Sequence, residues 1–382
     1  GMADYIQKFK NDFTVSVGGN FNKTKTDNNT TNDTFITGQP AKSMPNHFIY
    51  DENILGLYLT AEKKFSEKFS GKIGTRYEMT KSLGTSDNAS PEYRSIRQNY
   101  NNLLPYLSFN YALNDNNNLS YAFSSRMRRP SFWELNPVRN ILTRDNYTQN
   151  NPFVKAASNY NQELTYMYKN SYFVIVNHSY IKDEITQVPL QREIERDGVK
   201  YRQLAYIRTN FGTQQQMSAT VGMQRTFFKQ YLTSNFTIGV QHNINNGSLN
   251  TDPTTGQVFE TYTNNRKSSS LIIQTNNTVR LDQKKTWFLG VNYFFTDKQQ
   301  IELGLLKSMM SLDLSIKKNW NDWTFALNLN DVLRTNIVEI EDVQANGTYN
   351  YIKNDTFRRG GSLSITYNFG NQKVKKVRTI EG

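Results

Sequence analysis

Cysteine is absent from the chain, which excludes a disulfide framework and a thiolate metal centre. Histidine is scarce: His47, His178 and His242 are the only ones, and none has a partner at ligand spacing, so neither a metal nor a cofactor is expected. No apolar run reaches the roughly 20 residues of a membrane helix. Helical periodicity is sustained nowhere, no repeat of fixed period recurs, and there is no Gly-rich phosphate loop or EF-hand spacing. A signal peptide is also missing; Gly1-Met2 reads as a cleavage scar, with any secretion signal upstream. No linker divides the chain, so one domain is the simplest account.

What is present is period-two alternation. From Trp323 to Asn330 the odd positions are large and apolar and the even ones small or polar. Met310, Leu312, Leu314 and Ile316 alternate with Ser311, Asp313, Ser315 and Lys317, and Phe69, Ile73, Tyr77 and Met79 face away from Lys72, Arg76 and Glu78. A strand with one apolar and one polar face alternates in this way. The pattern predicts strands at 11–22, 50–65, 69–82, 99–113, 118–129, 160–169, 172–187, 203–228, 231–246, 266–281, 287–297, 303–319, 321–337 and 354–369, about fourteen in all.

Their connections alternate between short (66–68, 114–117, 170–171, 229–230, 282–285, 320–321) and long (23–49, 83–98, 130–159, 188–202, 247–265, 338–353), with 298–302 a shorter member of the second set. Long cell-surface loops and short periplasmic turns are the mark of outer-membrane barrels. The fold class expected is therefore all-β: an antiparallel, up-and-down transmembrane β-barrel. An even strand count would put both chain ends in the periplasm. A mean hydropathy of −0.69 normally marks a soluble protein, but half of each barrel strand faces a polar lumen. The 23 Tyr and 23 Phe suit aromatic girdles at the two membrane interfaces.

A net charge of +12 attracts anionic partners such as lipopolysaccharide or an acidic solute. It also fits a polar lining plus a basic tail, with Lys373, Lys375, Lys376 and Arg378 in a periplasmic segment 371–382 that follows the barrel at 1–370. The basic residues are dispersed and carry no nucleic-acid motif, so no nucleic-acid partner is expected. Some outer-membrane barrels are hydrolases, yet the one Ser-His neighbourhood, Asn177-His178-Ser179, places adjacent residues on opposite strand faces, where they cannot form a relay. No enzyme activity is expected. Glu339, Glu341 and Asp342 form a small acidic cluster in a long loop, either a cation trap or a solvated tip. The segment Ser124 to Pro137 leaves a clean strand and carries Arg126 and Arg128 on one face, the lumenal one, before Trp133 and two prolines fold it back. With Lys72 and Arg76, these are the candidate contacts to a solute or to something seated inside the barrel.

The run Tyr121-Ala122-Phe123-Ser124-Ser125-Arg126-Met127-Arg128-Arg129-Pro130-Ser131, followed by Leu135-Asn136-Pro137, resembles the Y-S-x-R-x-x-R-P-S and L-N-P segment of TonB-dependent outer-membrane receptors, in their Bacteroidetes-type barrel family. Leu327 to Asn336 resembles that family's penultimate strand, and Arg358 to Gly370 its closing strand. The resemblance covers most of residues 100–370. It implies a barrel of about 22 strands around a plug, held in outer-membrane lipid and lipopolysaccharide, inserted by the barrel-assembly machinery, and importing a scarce solute with energy from a TonB-type coupler. The chain shows neither plug nor coupling box, so it reads as the C-terminal portion of such a barrel, its plug and roughly eight strands lying elsewhere. Alone, it is expected to close edge to edge, because lipid does not tolerate unpaired strands. The rival readings are a self-contained passive porin of about fourteen strands and, from another class, a secreted β-sandwich adhesin or lectin.

Overall fold

A computed structural model describes residues 1–34, 42–87, 94–301, 303–344, 347, 349–355 and 359–369. The basic tail at 371–382 lies outside the described residues. Fifteen strands form one sheet in chain order, each hydrogen-bonded to the next: Met2–Phe9, Phe13–Thr34, Lys42–Lys64, Phe69–Ser86, Ser95–Asn114, Asn117–Arg128, Ala157–Tyr168, Tyr172–Lys182, Thr213–Phe227, Leu232–Asn246, Arg266–Arg280, Trp287–Thr296, Met309–Trp320, Trp323–Asn330 and Gly360–Tyr367. Every pairing within this sheet is antiparallel.

The strand that alternation misses is Met2–Phe9. Met2 and Ile6 stand on one face and Tyr5 and Phe9 on the other, so it has no contrast of faces to detect. The odd count also sends the first strand in from the loop side, whereas the last one ends at the turns. The expected loop at 23–49 is largely a continued hairpin, since Phe13–Thr34 and Lys42–Lys64 stay in register from Phe13↔Lys63 to Thr34↔Lys42. Up to Phe48 those extensions are largely polar on both faces, so little in the sequence distinguishes them from loop.

The expected loop at 83–98 is in part main-sheet strand, Phe69–Ser86 and Ser95–Asn114, whereas other long loops form small sheets of their own. Ile185–Arg196 and Val199–Asn210 form a hairpin beside Tyr147–Asn150 and Asn140–Ile141, and its contact with Tyr147–Asn150 is parallel. The predicted strands 172–187 and 203–228 therefore each divide, at Asp183 and at Gly212, into a main-sheet part and a loop part. Gly212 makes that corner at φ +62, where an added Cβ would collide with the Asn246 carbonyl. In the same way, predicted strands 303–319, 321–337 and 354–369 are shortened to Met309–Trp320, Trp323–Asn330 and Gly360–Tyr367, and Gln299–Ile301, Gly304–Leu306, Val338–Val343 and Tyr349–Asn354 make a separate four-stranded sheet.

The sheet does not close. Met2–Phe9 pairs on one side only, as does Gly360–Tyr367, and the two do not meet. Their residues are almost all exposed. The expected edge-to-edge closure is thus not found: among the described residues, each edge strand presents a free row of backbone donors and acceptors on its outer side.

Burial is the reverse of that in a soluble sandwich. The apolar cores lie at the loop end, one around Val188, Leu190, Ala205, Ile207 and Phe259, the other where Phe48 and Tyr50 of the strand Lys42–Lys64 meet Leu135, Val154 and Ile185. On the main sheet, registered rows such as Leu164–Val176–Ala219–Val240–Leu271 and Tyr166–Val174–Val221–Ile238–Ile273 share one face, and this face is bare. Ile73 is 60% exposed and Leu103 63%. The opposite face carries Ser124, Asn161, Ser179 and Gln216 in one row and Ala122, Glu163, Asn177 and Ser218 in the next. An apolar face of this extent costs too much in water, whereas hydrocarbon on that side and a polar interior on the other satisfy both.

Candidate functional site

The polar face holds a cavity of about 1010 Å³, bordered by Arg76, Glu78, Arg126, Asn161, Glu163 and Asn177. Two of the predicted site residues, Arg76 and Arg126, meet there. Arg76 is engaged: its Nε donates to Glu78 Oε1 at 2.5 Å and its Nη2 to Asn20 Oδ1 at 2.8 Å. Gly56, opposite Glu78 in the ladder, makes this possible, because a Cβ there would meet the Arg76 guanidinium and lie 2.6 Å from Asn20 Oδ1. Glu78 also takes an ion pair from Arg129, whose Nε donates to Thr80 Oγ1 at 3.2 Å. One buried carboxylate thus anchors two guanidiniums. Arg126 is different: it is exposed on this face and makes no hydrogen bond or ion pair with any described residue.

Lys72 stands on the same face, facing Glu62 across the strand pair, with its Nζ 3.8 Å from the carboxylate. It does not border the cavity. Arg128 shares a face with Arg126, as alternation requires, but it is committed to structure: its Nη2 donates to Glu134 at 2.7 Å. Glu134 sits in the short helix Phe132–Leu135 and is buried. It accepts from the Ser131 N–H and Oγ at 3.0 Å each, and Arg208 lies 3.5 Å away. Burial alone pushes this carboxyl's pKa up; the Ser131 hydrogen bonds and the Arg128 guanidinium outweigh it and hold the group below its ordinary value.

Trp133 is half exposed, with the Arg208 guanidinium 4.8 Å above its ring. It borders a second, smaller cavity of about 290 Å³ with Asn28, Asn46 and Asn136, apart from Arg126. The five predicted residues therefore form no single cluster.

Sequence reasoning missed Glu78, Arg129, Glu134 and Arg208. Ser131 and Glu134 stand at the spacing of a helix capping box, so that pair was within reach. The Glu78–Arg129 and Glu134–Arg208 pairs were not, because their members lie far apart along the chain. The acidic cluster is neutralised from within: Lys307 lies 3.6 Å from Glu339 and 3.5 Å from Glu341, Lys353 is 3.3 Å from Glu339, and Arg266 is 2.9 Å from Asp342. His178 falls on the apolar face and its neighbours Asn177 and Ser179 on the polar one, so the triple assembles no relay.

Solved receptors share this fold. The ferric-catecholate import receptor Fiu from E. coli K12 superposes with a TM-score of 0.60 at 11% identity over 95% of this chain and 53% of its own. The siderophore receptor PiuA from Acinetobacter baumannii gives 0.62 at 10% identity, over 94% and 54%. The ferric yersiniabactin uptake receptor FyuA from Yersinia pestis gives 0.56 at 11%, over 95% and 52%. The chain spans about half the length of these receptors, and at such identity the likeness speaks for the fold alone. Among curated proteins none matches. The family model described as outer membrane protein beta-barrel family matches residues 1–367. With its lipid-ready apolar face and polar inner face, this chain belongs to the outer-membrane β-barrel protein family, and its place is the bacterial outer membrane.

Proposed function

We propose that this chain is the wall of a TonB-dependent import receptor, part of a larger barrel of about 22 strands that takes up a scarce solute through a plugged lumen. The observation that carries the reading is the open sheet: fifteen strands present an apolar face to lipid, yet each edge strand has one side without a partner among the described residues. Bare edges are untenable in hydrocarbon, so further strands must satisfy them. Arg126, an uncommitted cation that borders the cavity on the polar face, is the contact to plug or solute, while Arg76, Arg128 and Arg129 hold the wall in shape. The partners are then the plug of the same receptor and, through it, the TonB-type coupler. The wall itself does no chemistry on the solute.

The test is an antibody blot of outer membranes from the source organism, combined with an Arg126→Glu receptor. A band at about twice 44.3 kDa is expected, as plugged 22-stranded barrels require, together with impaired uptake and normal barrel insertion in the variant. A band near 44 kDa that conducts in planar bilayers without a coupler would replace this reading with a passive porin. Unimpaired uptake would remove Arg126 from the site.

A further inference from the structure

The apolar face changes character along the strands. Its middle carries no Asp, Glu, Lys or Arg: successive outward positions include Leu57, Leu59, Ile73, Leu107, Val221 and Leu289. At the loop end the same face carries both signs, with Lys23, Lys25 and Lys81 beside Asp27 and Asp51. At the turn end the strand positions of this face carry cations alone.

Three cations stand on strand positions at that rim and a fourth, Lys169, in the turn that follows Tyr168, and each lies against an aromatic ring. Lys63 Nζ is 5.6 Å from the Phe65 ring and Lys169 Nζ 5.2 Å from Tyr168. The Arg225 guanidinium is 5.8 Å from Tyr172 and 5.7 Å from Phe227, and Lys318 Nζ is 4.8 Å from Trp287. Their protein partners are neutral where they exist: Arg225 donates to the Tyr172 hydroxyl at 2.6 Å and Lys318 to Thr286 Oγ1 at 2.8 Å. None of the four has an ion-pair partner among the described residues. The turns contribute Asp12, Glu67, Asp115, Asp282 and Asp322, but Glu67 is taken by Lys64 at 2.8 Å. Asp282 accepts the Thr286 and Trp287 amides of its own turn at 2.8 and 2.9 Å and the Thr286 hydroxyl at 2.7 Å, so Lys318 reaches that carboxylate only through the hydroxyl between them.

A ring-backed cation at the edge of a hydrocarbon band keeps its aliphatic stem in apolar surroundings and its charge at headgroup depth. Without a carboxylate partner, it is matched by a lipid phosphate. A zwitterionic headgroup brings its own cation to compete, and a net-negative one does not. We propose that this rim is a belt that selects anionic glycerophospholipid in the leaflet facing the short turns. The inference rests on the membrane reading of the apolar face.

Trp287, Trp320 and Trp323 all lie at this rim, so intrinsic fluorescence reports its lipid neighbours. The full receptor that carries this chain, with tryptophan kept at these three positions alone, is inserted into vesicles containing phosphatidylglycerol or phosphatidylcholine with brominated acyl chains, and the quenching curves give a relative binding constant. Wild type is expected to favour phosphatidylglycerol about fivefold or more. The K63Q/K169Q/R225Q/K318Q variant should fall within about twofold of parity, while a K23Q/K25Q/K81Q control at the loop end keeps the preference. Equal quenching in wild type, a preference surviving in the rim variant, or its loss in the control would each overturn the belt. No quenching by either lipid would instead overturn the membrane reading beneath it. Should the quadruple variant fail to insert, R225Q and K318Q alone decide, each expected to lower the ratio about twofold and each counting against the belt if the ratio does not move.

Discussion

Glu134→Gln tests whether the Arg-rich segment is an anchor. The substitution keeps the side chain's size and removes its charge. Glu134 is 1% exposed, against 45% for Arg128 and 24% for Arg208, so the carboxylate is the buried member and water reaches both guanidiniums. Oε1 receives Arg128 at 2.7 Å, and Oε2 receives the Ser131 N–H and hydroxyl at 3.0 Å. A glutamine amide must turn its NH₂ toward one of these donor sets, whichever way it flips. Losing a hydrogen bond to a charged group costs about 1.5–3 kcal/mol, and exposure of the arginines keeps the charge contribution near the surface value of about 0–1 kcal/mol. About 2 kcal/mol is the expected sum, which is roughly a 30-fold rise in local opening.

Amide exchange reads that opening as a loss of protection in residues 131–136, with the main-sheet ladders unchanged. The pH dependence follows from the depressed pKa of Glu134. Its contribution is complete above the unfolded value near 4.5 and is lost as pH falls through the lower folded value. Wild type should therefore lose protection only below about pH 4.5, whereas the Gln variant should show no such step. Protection within twofold of wild type at neutral pH, or an acid step surviving in the variant, would refute the anchor.

Two further outcomes follow from the fold. Val221→Arg, in the middle of the apolar face, should cost about 2–4 kcal/mol in vesicle refolding against urea, while Ser218→Arg on the polar face should be close to neutral; the reverse ranking would invert the assignment of faces. Gly212→Val should destabilise the hairpin Ile185–Asn210 by well over the ~1 kcal/mol of a left-handed residue alone, because its Cβ also meets the Asn246 carbonyl. Gly198→Ala, at φ +75 with nothing within 4 Å of its Cβ, should cost only about that 1 kcal/mol, so equal urea shifts in the two would refute the steric argument.

Alternation carried much of the reading because it is a local property. Leu312, Leu314 and Ile316 against Asp313 and Ser315 define two faces before any partner strand is known, and most of the main-sheet strands can be read that way. Met2–Phe9 lacks that contrast and was invisible. The largely polar extension of the hairpin between 23 and 49 passed for loop. The capping-box spacing of Ser131 and Glu134 was local too, and legible. Arg128 and Arg126 look alike in the chain, yet one is bound and the other free, because a carboxylate's position relative to a strand end depends on how the following loop folds back. Glu78 holds Arg76 on its own strand and Arg129 from 51 residues away, a distance over which no sequence pattern extends. Strand existence, face polarity and membrane class were thus determined by the sequence itself, since each depends on neighbours two residues apart. Register, the open edges and the division between anchoring and free arginines were decided only in three dimensions, where backbone groups and charges are satisfied by whatever partner the chain brings within hydrogen-bond reach.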